Sequence, residues 1–435
     1  MYKALTIAGS DSVGGAGIQA DLKAFASLGV HGCCAITAIT AQNTSAVDRI
    51  QDVGADMLRA QIDSVLDDVD IGAVKTGMLY TAENVYVVSE ILDSRELPLV
   101  VDPVMVAGVG DSLSSDGLVE VMVKELMPLC DVVTPNLSEA EALSGMDILD
   151  EDDAMRACEI IGSNGCSVYL KGGHMDSEDV VDYLYQGAEF TRFRYPRLAT
   201  AGHGGGCTLS AYITANLAKG RDVLGSIMSA RDEIQSSILT MYDVGKGVKV
   251  VNPMVGLLRK AEGLEVLHRL RDVIGGLESL LPSDWVPQSG SNVVYALPAA
   301  RTVGEVAALE SRMMSIRGCT RSIGGVAFGT SLHMATVTLT AMRYDQEMRS
   351  SLNIRYDEEL VNLMEELGLV VACFEGNHVP DGSTTALEWA VSNTIEACEE
   401  FPDVIYDHHG AGDAAMVRIL GRNPEELLNK IKLLL

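Results

Sequence analysis

Between Ala8 and Phe25 the chain reads AGSDSVGGAGIQADLKAF, a glycine turn set beside a lone carboxylate. Gly14, Gly15 and Gly17 let the backbone come close to a ligand. An amphipathic helix follows, with Ile18, Leu22, Phe25 and Leu28 at helical spacing and Gly29 as its stop, so Asp21 lies on its first turns. A glycine turn feeding a helix also arises from packing alone. A second such run, GHGGGCTLSAYI, puts Gly204, Gly205, Gly206 and Cys207 at the mouth of an apolar helix. Free N–H groups and the helix dipole there can hold an anionic phosphoryl group, and the same position is expected to lower the thiol pKa of Cys207.

More residues able to do chemistry follow in order: Lys75 and Met78 in KTGML, Asp102, Met105 and Val106 in VVDPVMVAG, Asn136 and Glu139 in TPNLSEAEAL, and Lys171 and His174 in VYLKGGH. Each alone has a plain explanation: Glu139 as a first-turn helix acid, Met78 as core packing, Lys171 as a solvated strand end. Later, arginines stand at 312, 317, 321, 343, 349 and 355, with no lysine between Lys260 and Lys430. Guanidinium forks suit phosphate, although any one of them can equally serve a surface ion pair.

The elements that must position these residues alternate. Short apolar strands at 3–8, 33–39, 71–75, 98–101, 131–134 and 166–171 are separated by helices at 16–28, 54–67, 82–93, 115–127 and 151–163. A polar hairpin over 178–195 and a helix from 208 follow. This predicts an α/β fold, a mostly parallel sheet covered by helices, with ligands beyond the carboxyl ends of the strands. From Asp243 the text turns to VGKGVKVVNP, which reads as the close of a first domain. The expected organisation is a domain at 1–255, a linker at 256–263 and a second α/β domain at 264–435, opened by a helix carrying Leu264, Leu267, Leu270, Ile274 and Leu277.

Composition narrows the partners. The chain has 435 residues, 47% of them hydrophobic and 21% charged, which suits two globular domains rather than disorder. A formal charge of −29 repels phosphate backbones and anionic bilayers, so neither nucleic acid nor membrane is expected. Any phosphate site must be made locally, from backbone N–H groups, Mg²⁺ and a few clustered cations. MYKALTIAGS lacks a basic leader, and the 9 cysteines show neither metal-ligand spacing nor a C-x-x-C pair. A cytoplasmic, homo-oligomeric enzyme with reduced thiols and small-molecule substrates is expected.

Taken together, these motifs resemble the hydroxymethylpyrimidine phosphate kinases of thiamine biosynthesis, in the ribokinase superfamily. The resemblance implies a ribokinase-like domain, ATP and Mg²⁺ as cofactors, and two successive phosphorylations of a hydroxymethylpyrimidine. It implies that Gly9, Asp21, Gln42, Met78 and Val106 hold the pyrimidine. Gly204, Gly205 and Gly206 would form the anion hole and Cys207 would act as base. Asp102, Asn136, Glu139 and Lys171 would serve the nucleotide side, with Glu139 holding Mg²⁺ through water. The chain departs from the family at Gly108 and Val109, where lysine and serine are usual, and at Gly205, where threonine is usual. A pyridoxal-type kinase is the alternative on the same fold, against which Gln42 with Met78 argues.

The stretch from 289 to 422 resembles the archaeal type of thiamine-phosphate synthase, through GSNVVYALPAA, VAALESRM, VAFGTSLHMA, AMRYDQEMRSSLNIRY, DGSTTALEW and PDVIYD. This implies a three-layer α/β domain that joins the pyrimidine pyrophosphate to a thiazole phosphate. Arg312 and His333 are the implied catalytic residues, and Arg343, Arg349 and Arg355 the substrate-binding ones. Where GKEPM is common the chain has Gly412, Asp413, Ala414, Ala415 and Met416. An acid in place of that lysine leaves room for a thiamine-phosphate-sensing domain without catalysis.

Overall fold

The computed structural model describes residues 1–105, 117–172, 179–197, 202–374, 386–407 and 415–435. It divides into two compact units, Met1–Leu257 and Leu258–Leu435. Among the described residues the first unit holds strands β1 (Tyr2–Ser10), β2 (Val30–Gln42), β3 (Val47–Asp52), β4 (Ala73–Thr76), β5 (Leu99–Val101), β6 (Val132–Val133), β7 (Ser167–Leu170), β8 (Asp179–Gln186) and β9 (Glu189–Pro196). They form one sheet in the order β3-β2-β1-β4-β5-β6-β7-β8-β9. The strands from β2 through β7 in that order run parallel, while β3 runs against them at one edge and, at the other, β8 runs against β7 and β9 against β8.

Successive strand residues point to opposite faces, and both faces here are covered. Leu5, Val74, Val101 and Val133 enter a core with Leu58, Val88 and Ile161 from the helices Ala55–Leu66, Ala82–Asp93 and Glu151–Gly162. Their neighbours Ala4, Ala73, Val100 and Val132 enter another with Phe25, Tyr212 and Ile227 from Gly17–Ser27, Gly205–Ala218 and Val223–Leu239. Parallel strands bring their carboxyl ends to one edge, so Asp11, Gly77, Asp102 and Lys171 emerge together.

Two elements differ from expectation. The helix expected over 115–127 is regular only at Leu118–Val121 and continues as a wider turn, Met122–Leu126. Residues 256–263, expected as a linker, are helical, within Val255–Leu280. Gly256 and Gly263 each cost such a helix about 1 kcal/mol. Burial of Val266, Leu270, Ile274 and Leu277, at roughly 1.5–3 kcal/mol a side chain, offsets this.

The second unit carries β10 (Val293–Ala296), β11 (Val306–Leu309), β12 (Met313–Ile316), β13 (Cys319–Ser322), β14 (Val326–Phe328), β15 (Ser350–Arg355), β16 (Val371–Cys373), β17 (Val404–Tyr406) and β18 (Met416–Gly421). Among the described residues seven form a sheet, β14-β11-β10-β15-β18-β17-β16, and β12 pairs with β13 alone. The helices Leu332–Tyr344 and Ala386–Ala397 pack on Ile405 and Leu420 through Val337, Ala341, Val391 and Ile395. Val417 and Ile419, the alternate residues of β18, enter the other core with Leu270, Met364 and Leu427.

Candidate functional site

At the carboxyl edge of the first sheet lies a cavity of ≈ 280 Å³. Of the residues expected there, Gly9, Gln42, Met78, Asp102, Asn136, Glu139, Lys171, Gly204, Gly205, Gly206 and Cys207 all line it. Val106 falls outside the described residues. Two glycines explain how the walls close up. A Cβ at Gly9 would sit 2.3 Å from the Met78 methyl, and one at Gly204, where φ is +89°, would sit 1.7 Å from the Gly15 carbonyl oxygen. Gly204 thus opens its helix directly against the turn after Asp11.

Asp21 is placed differently from expectation. It is fully buried behind the cavity wall, 2.5 Å from Lys75 Nζ, and accepts a 2.7 Å hydrogen bond from Thr6 Oγ1. Burial pushes the Asp21 carboxyl up while Lys75 pulls it back. For Lys75, burial lowers the pKa, but Asp21, Cys207 and Asp102 outweigh it and hold the ammonium above its usual range. Asp21 therefore supports the wall through Lys75 rather than offering an oxygen to a ligand.

A second cluster joins the strand ends. Lys171 Nζ lies 3.4 Å from Asp102 and 3.8 Å from Glu139. Asp102 also accepts from Ser210 at 3.1 Å and from Thr134 at 3.3 Å. Burial raises the Asp102 carboxyl, but Lys171, Lys75 and the Ser210 hydroxyl hold it below its usual range. Glu139 and Asn136 cap the helix Leu137–Ser144 reciprocally, each backbone N–H giving 2.8 Å to the other's side chain. Burial, and then Asp102, keeps Glu139 raised against the pull of Lys171.

These groups set two ammoniums, Lys75 and Lys171, against three carboxylates, Asp21, Asp102 and Glu139. The cluster is short of positive charge, and no three-residue metal cage exists among the described residues. Mg²⁺ fits such a place, since it takes one or two carboxylates and fills its shell with water and phosphate oxygens.

Cys207 contradicts the expected lowering. Burial pushes its thiol up to about 12, with Lys75 opposing and Asp102 and Asp21 reinforcing. The dipole acts over one turn, whereas dehydration and two neighbouring carboxylates act on the sulfur itself. The group at the helix mouth is a protonated thiol.

The sequence reading missed Asp11 and His203, both buried and both in the cavity wall. His203 Nε2 lies 3.0 Å from Asp11 Oδ2 and 3.1 Å from the Gln42 amide. The strip read as the domain's close braces this pair: His203 N–H donates to Lys249 O, and Val251 N–H to His203 O. The one available signal was the histidine directly before the second glycine run.

In the second unit a wider cavity, ≈ 780 Å³, is lined by Arg312 and His333 together with Asn292, Glu310, Thr330 and Ser331. Arg312 gives 2.6 Å to the Ser289 carbonyl. His333 is the second residue of Leu332–Tyr344, whose cap residue Ser331 makes no side-chain capping bond. Partial dehydration, then Arg418 and Arg312, press the imidazole pKa down to about 4 against Asp407. The ring stays open on the cavity side, where a ligand can reach it.

The other expected arginines are elsewhere. Arg349 spends Nε and Nη2 on the Ala296 carbonyl, at 3.0 and 2.9 Å, and lies over the Tyr295 ring. Arg343 pairs with Glu388. Neither these nor Arg355 line the cavity. Arg418 is buried in β18 outside the residues that line the cavity, with Nη1 2.6 Å from Asp407 and Nε without a hydrogen-bond partner.

Comparison with known proteins matches residues 11–252 to phosphomethylpyrimidine kinase and residues 269–433 to the thiamine-phosphate synthase ThiN. A hydroxymethylpyrimidine/phosphomethylpyrimidine kinase of Rhizobium meliloti is 44% identical over 249 residues, covering 56% of this chain and 94% of that protein. The thiamine biosynthesis bifunctional protein ThiED of Geobacter sulfurreducens is 43% identical over 251 residues, 57% of this chain and 51% of that one. Among solved structures, a Bacillus subtilis pyridoxal kinase in complex with ADP aligns at TM-score 0.55 and 36% identity over 59% of this chain and 99% of its own. A phosphomethylpyrimidine kinase from Clostridium difficile aligns at 0.50 and 40%, over 55% and 100%. With the family's match spanning more than half of the sequence, the chain belongs to the phosphomethylpyrimidine kinases and carries a ThiN-type thiamine-phosphate synthase domain behind the kinase.

Proposed function

We propose that the first unit moves the γ-phosphoryl group of ATP to the hydroxymethyl oxygen of an aminopyrimidine and then adds a second phosphoryl group to the product. The observation that carries this is a cavity with two unlike ends. Gly9, Gln42 and Met78 make a flat wall with one amide, while Gly204 to Cys207 and Lys171 gather N–H donors and an ammonium. In each step a P–O bond to the β-phosphate breaks and one to the acceptor forms, and the transferring oxygens need charge neutralised more than covalent help. The N–H groups at the start of Gly205–Ala218 and Lys171 supply this. Mg²⁺, held near Glu139 and Asp102, would neutralise the nucleotide phosphates. Cys207, protonated at rest, orients the acceptor hydroxyl, whose proton passes late, in a loose transition state, to an oxygen of the transferred phosphoryl group.

The second unit then forms the bond between the pyrimidine methylene and the thiazole nitrogen as the methylene–oxygen bond to pyrophosphate breaks. Arg312 and His333 take the charge that builds on the leaving group. Incubating the full chain with ATP, Mg²⁺, hydroxymethylpyrimidine and thiazole phosphate should yield thiamine phosphate by mass. A chain that binds thiamine phosphate yet makes none is a sensor in its second half. The pyridoxal kinases among its structural neighbours favour a second reading of the first half, and preferred turnover of pyridoxal over the pyrimidine would establish it.

A further inference from the structure

The Asp11 carboxylate is saturated with donors: Val13 N–H reaches Oδ1 at 3.0 Å, while Gly15 and Ala16 N–H reach Oδ2 at 2.9 and 2.8 Å. Burial raises its pKa, but His203 and these backbone donors outweigh that and hold it below the usual range. An ionised carboxylate can only accept, so the His203 Nε2 that lies 3.0 Å away carries a proton. The Gln42 amide lies 3.1 Å from the same Nε2. If its NH₂ faced that nitrogen, two donors would oppose each other. Amide nitrogen and oxygen exchange by a half-turn, and only the turn that sets Oε1 against Nε2 satisfies both groups. The NH₂ then faces Thr40 Oγ1, at 3.3 Å. Thr40 has already given its own proton to the Ser10 carbonyl at 2.9 Å, so its oxygen is free to accept. One N–H of Gln42 is spent there and the other is left for the cavity that Gln42 and Thr40 line.

We propose that Asp11 and His203 are positioning residues that fix the polarity of the Gln42 amide, so that the cavity offers a donor at this point and selects a heteroaromatic ring with a bare acceptor nitrogen there. This rests on the first unit being the pyrimidine kinase, and it deepens that reading by naming the ring edge the site requires. Asp11 acts twice: it holds the glycine turn that abuts Gly204, and through His203 it sets what the substrate meets.

Three measurements on the full chain test it. With ¹⁵N-labelled histidine, His203 should show a protonated Nε2 at neutral pH, and a bare Nε2 with a protonated Nδ1 overturns the proposal whatever the enzyme turns over. In the kinase assay, Gln42→Glu replaces the donor with oxygen and should raise KM for the hydroxymethylpyrimidine at least tenfold, roughly one hydrogen bond, with kcat less affected. An unchanged or lower KM would mean that the substrate uses the carbonyl face, and the proposal falls. A substrate analogue with C–H in place of the acceptor nitrogen should lose about tenfold in kcat/KM on the parent. That penalty should shrink to nearly nothing on Gln42→Met and on His203→Phe, while KM for ATP stays put. An equal penalty on all three proteins places recognition of that nitrogen elsewhere. Absence of any pyrimidine phosphorylation by the parent, with the Nε2–H form present, overturns the kinase reading alone.

Discussion

In the first unit each charged group at the cavity answers to another: Lys75 to Asp21, Lys171 to Asp102 and Glu139, His203 to Asp11. In the second, Arg312, which lines the cavity, touches a carbonyl and makes no ion pair among the described residues, while Arg418, off the cavity wall, is paired with Asp407. The first arrangement suits a reaction whose charge is brought and shared by ATP and a divalent cation. Its protein groups balance one another until those arrive. The second keeps cationic capacity in reserve for a leaving pyrophosphate.

Removing that reserve should have the largest effect. Arg312→Ala and His333→Ala are each expected to cut thiamine phosphate formation by about 10²-fold or more, since one preorganised donor at a developing charge is worth about 3–4 kcal/mol. Kinase turnover should not change. Parent-like coupling in both variants would leave the second cavity without a catalytic role.

On the balanced side, Cys207→Ser should be felt almost equally in the two phosphorylations, by about 10-fold each, because a thiol with a pKa near 12 places the acceptor instead of deprotonating it. A first step slowed roughly 10²-fold with the second spared would restore the general-base role. Alkylation gives an independent check: at pH 8 iodoacetamide should label exposed Cys319 well before Cys207.

The contrast also bounds Arg349, whose guanidinium serves its own sheet. Arg349→Met should leave coupling turnover within about threefold while lowering stability by about 1.5–3 kcal/mol, the worth of a charged hydrogen bond, read from the urea midpoint. A large loss of turnover at unchanged stability would return it to the substrate.

These assignments separate what neighbouring residues reveal from what distance conceals. The glycine turns, the alternating strands and the positions of Cys207, Asn136 and Lys171 at strand or helix ends follow from local pattern and from family resemblance, and the cavity collects nearly all of them. Asp21 was misjudged because its partner Lys75 lies 54 residues away, and a helix acid looks the same whether it meets a ligand or a lysine. His203 and Asp11 are 192 residues apart, and nothing local marks either as the other's partner. The arginines failed for the same reason. Arg349 stands just ahead of β15 and reaches the Ala296 carbonyl 53 residues away, and Arg418 in β18 meets Asp407 just past β17, pairings that no local pattern marks.

The smallest expected effect concerns protons at the second site. With Arg418 and Arg312 beside it and water partly withdrawn, His333 has its pKa near 4, so the imidazole is neutral across pH 5.5 to 8. On the proposed coupling it would then meet the leaving group as a hydrogen-bond donor rather than as a cation, and the positive charge would come from Arg312. The coupling rate should then show no His333 inflection near 6.5 and vary by less than about twofold from this residue over that range. An NMR titration of His333, identified by its loss in His333→Gln, should give a midpoint well below the ordinary histidine value. The sign for stability follows. The unfolded chain takes up this proton first as pH falls through 6.5, so the folded domain loses stability from there down to about pH 4 and gains nothing from the group above it. A midpoint at or above 6.5 would show that Asp407 outweighs both guanidiniums, and the second site would then hold a further cation and resemble the first in drawing its charge from close pairs.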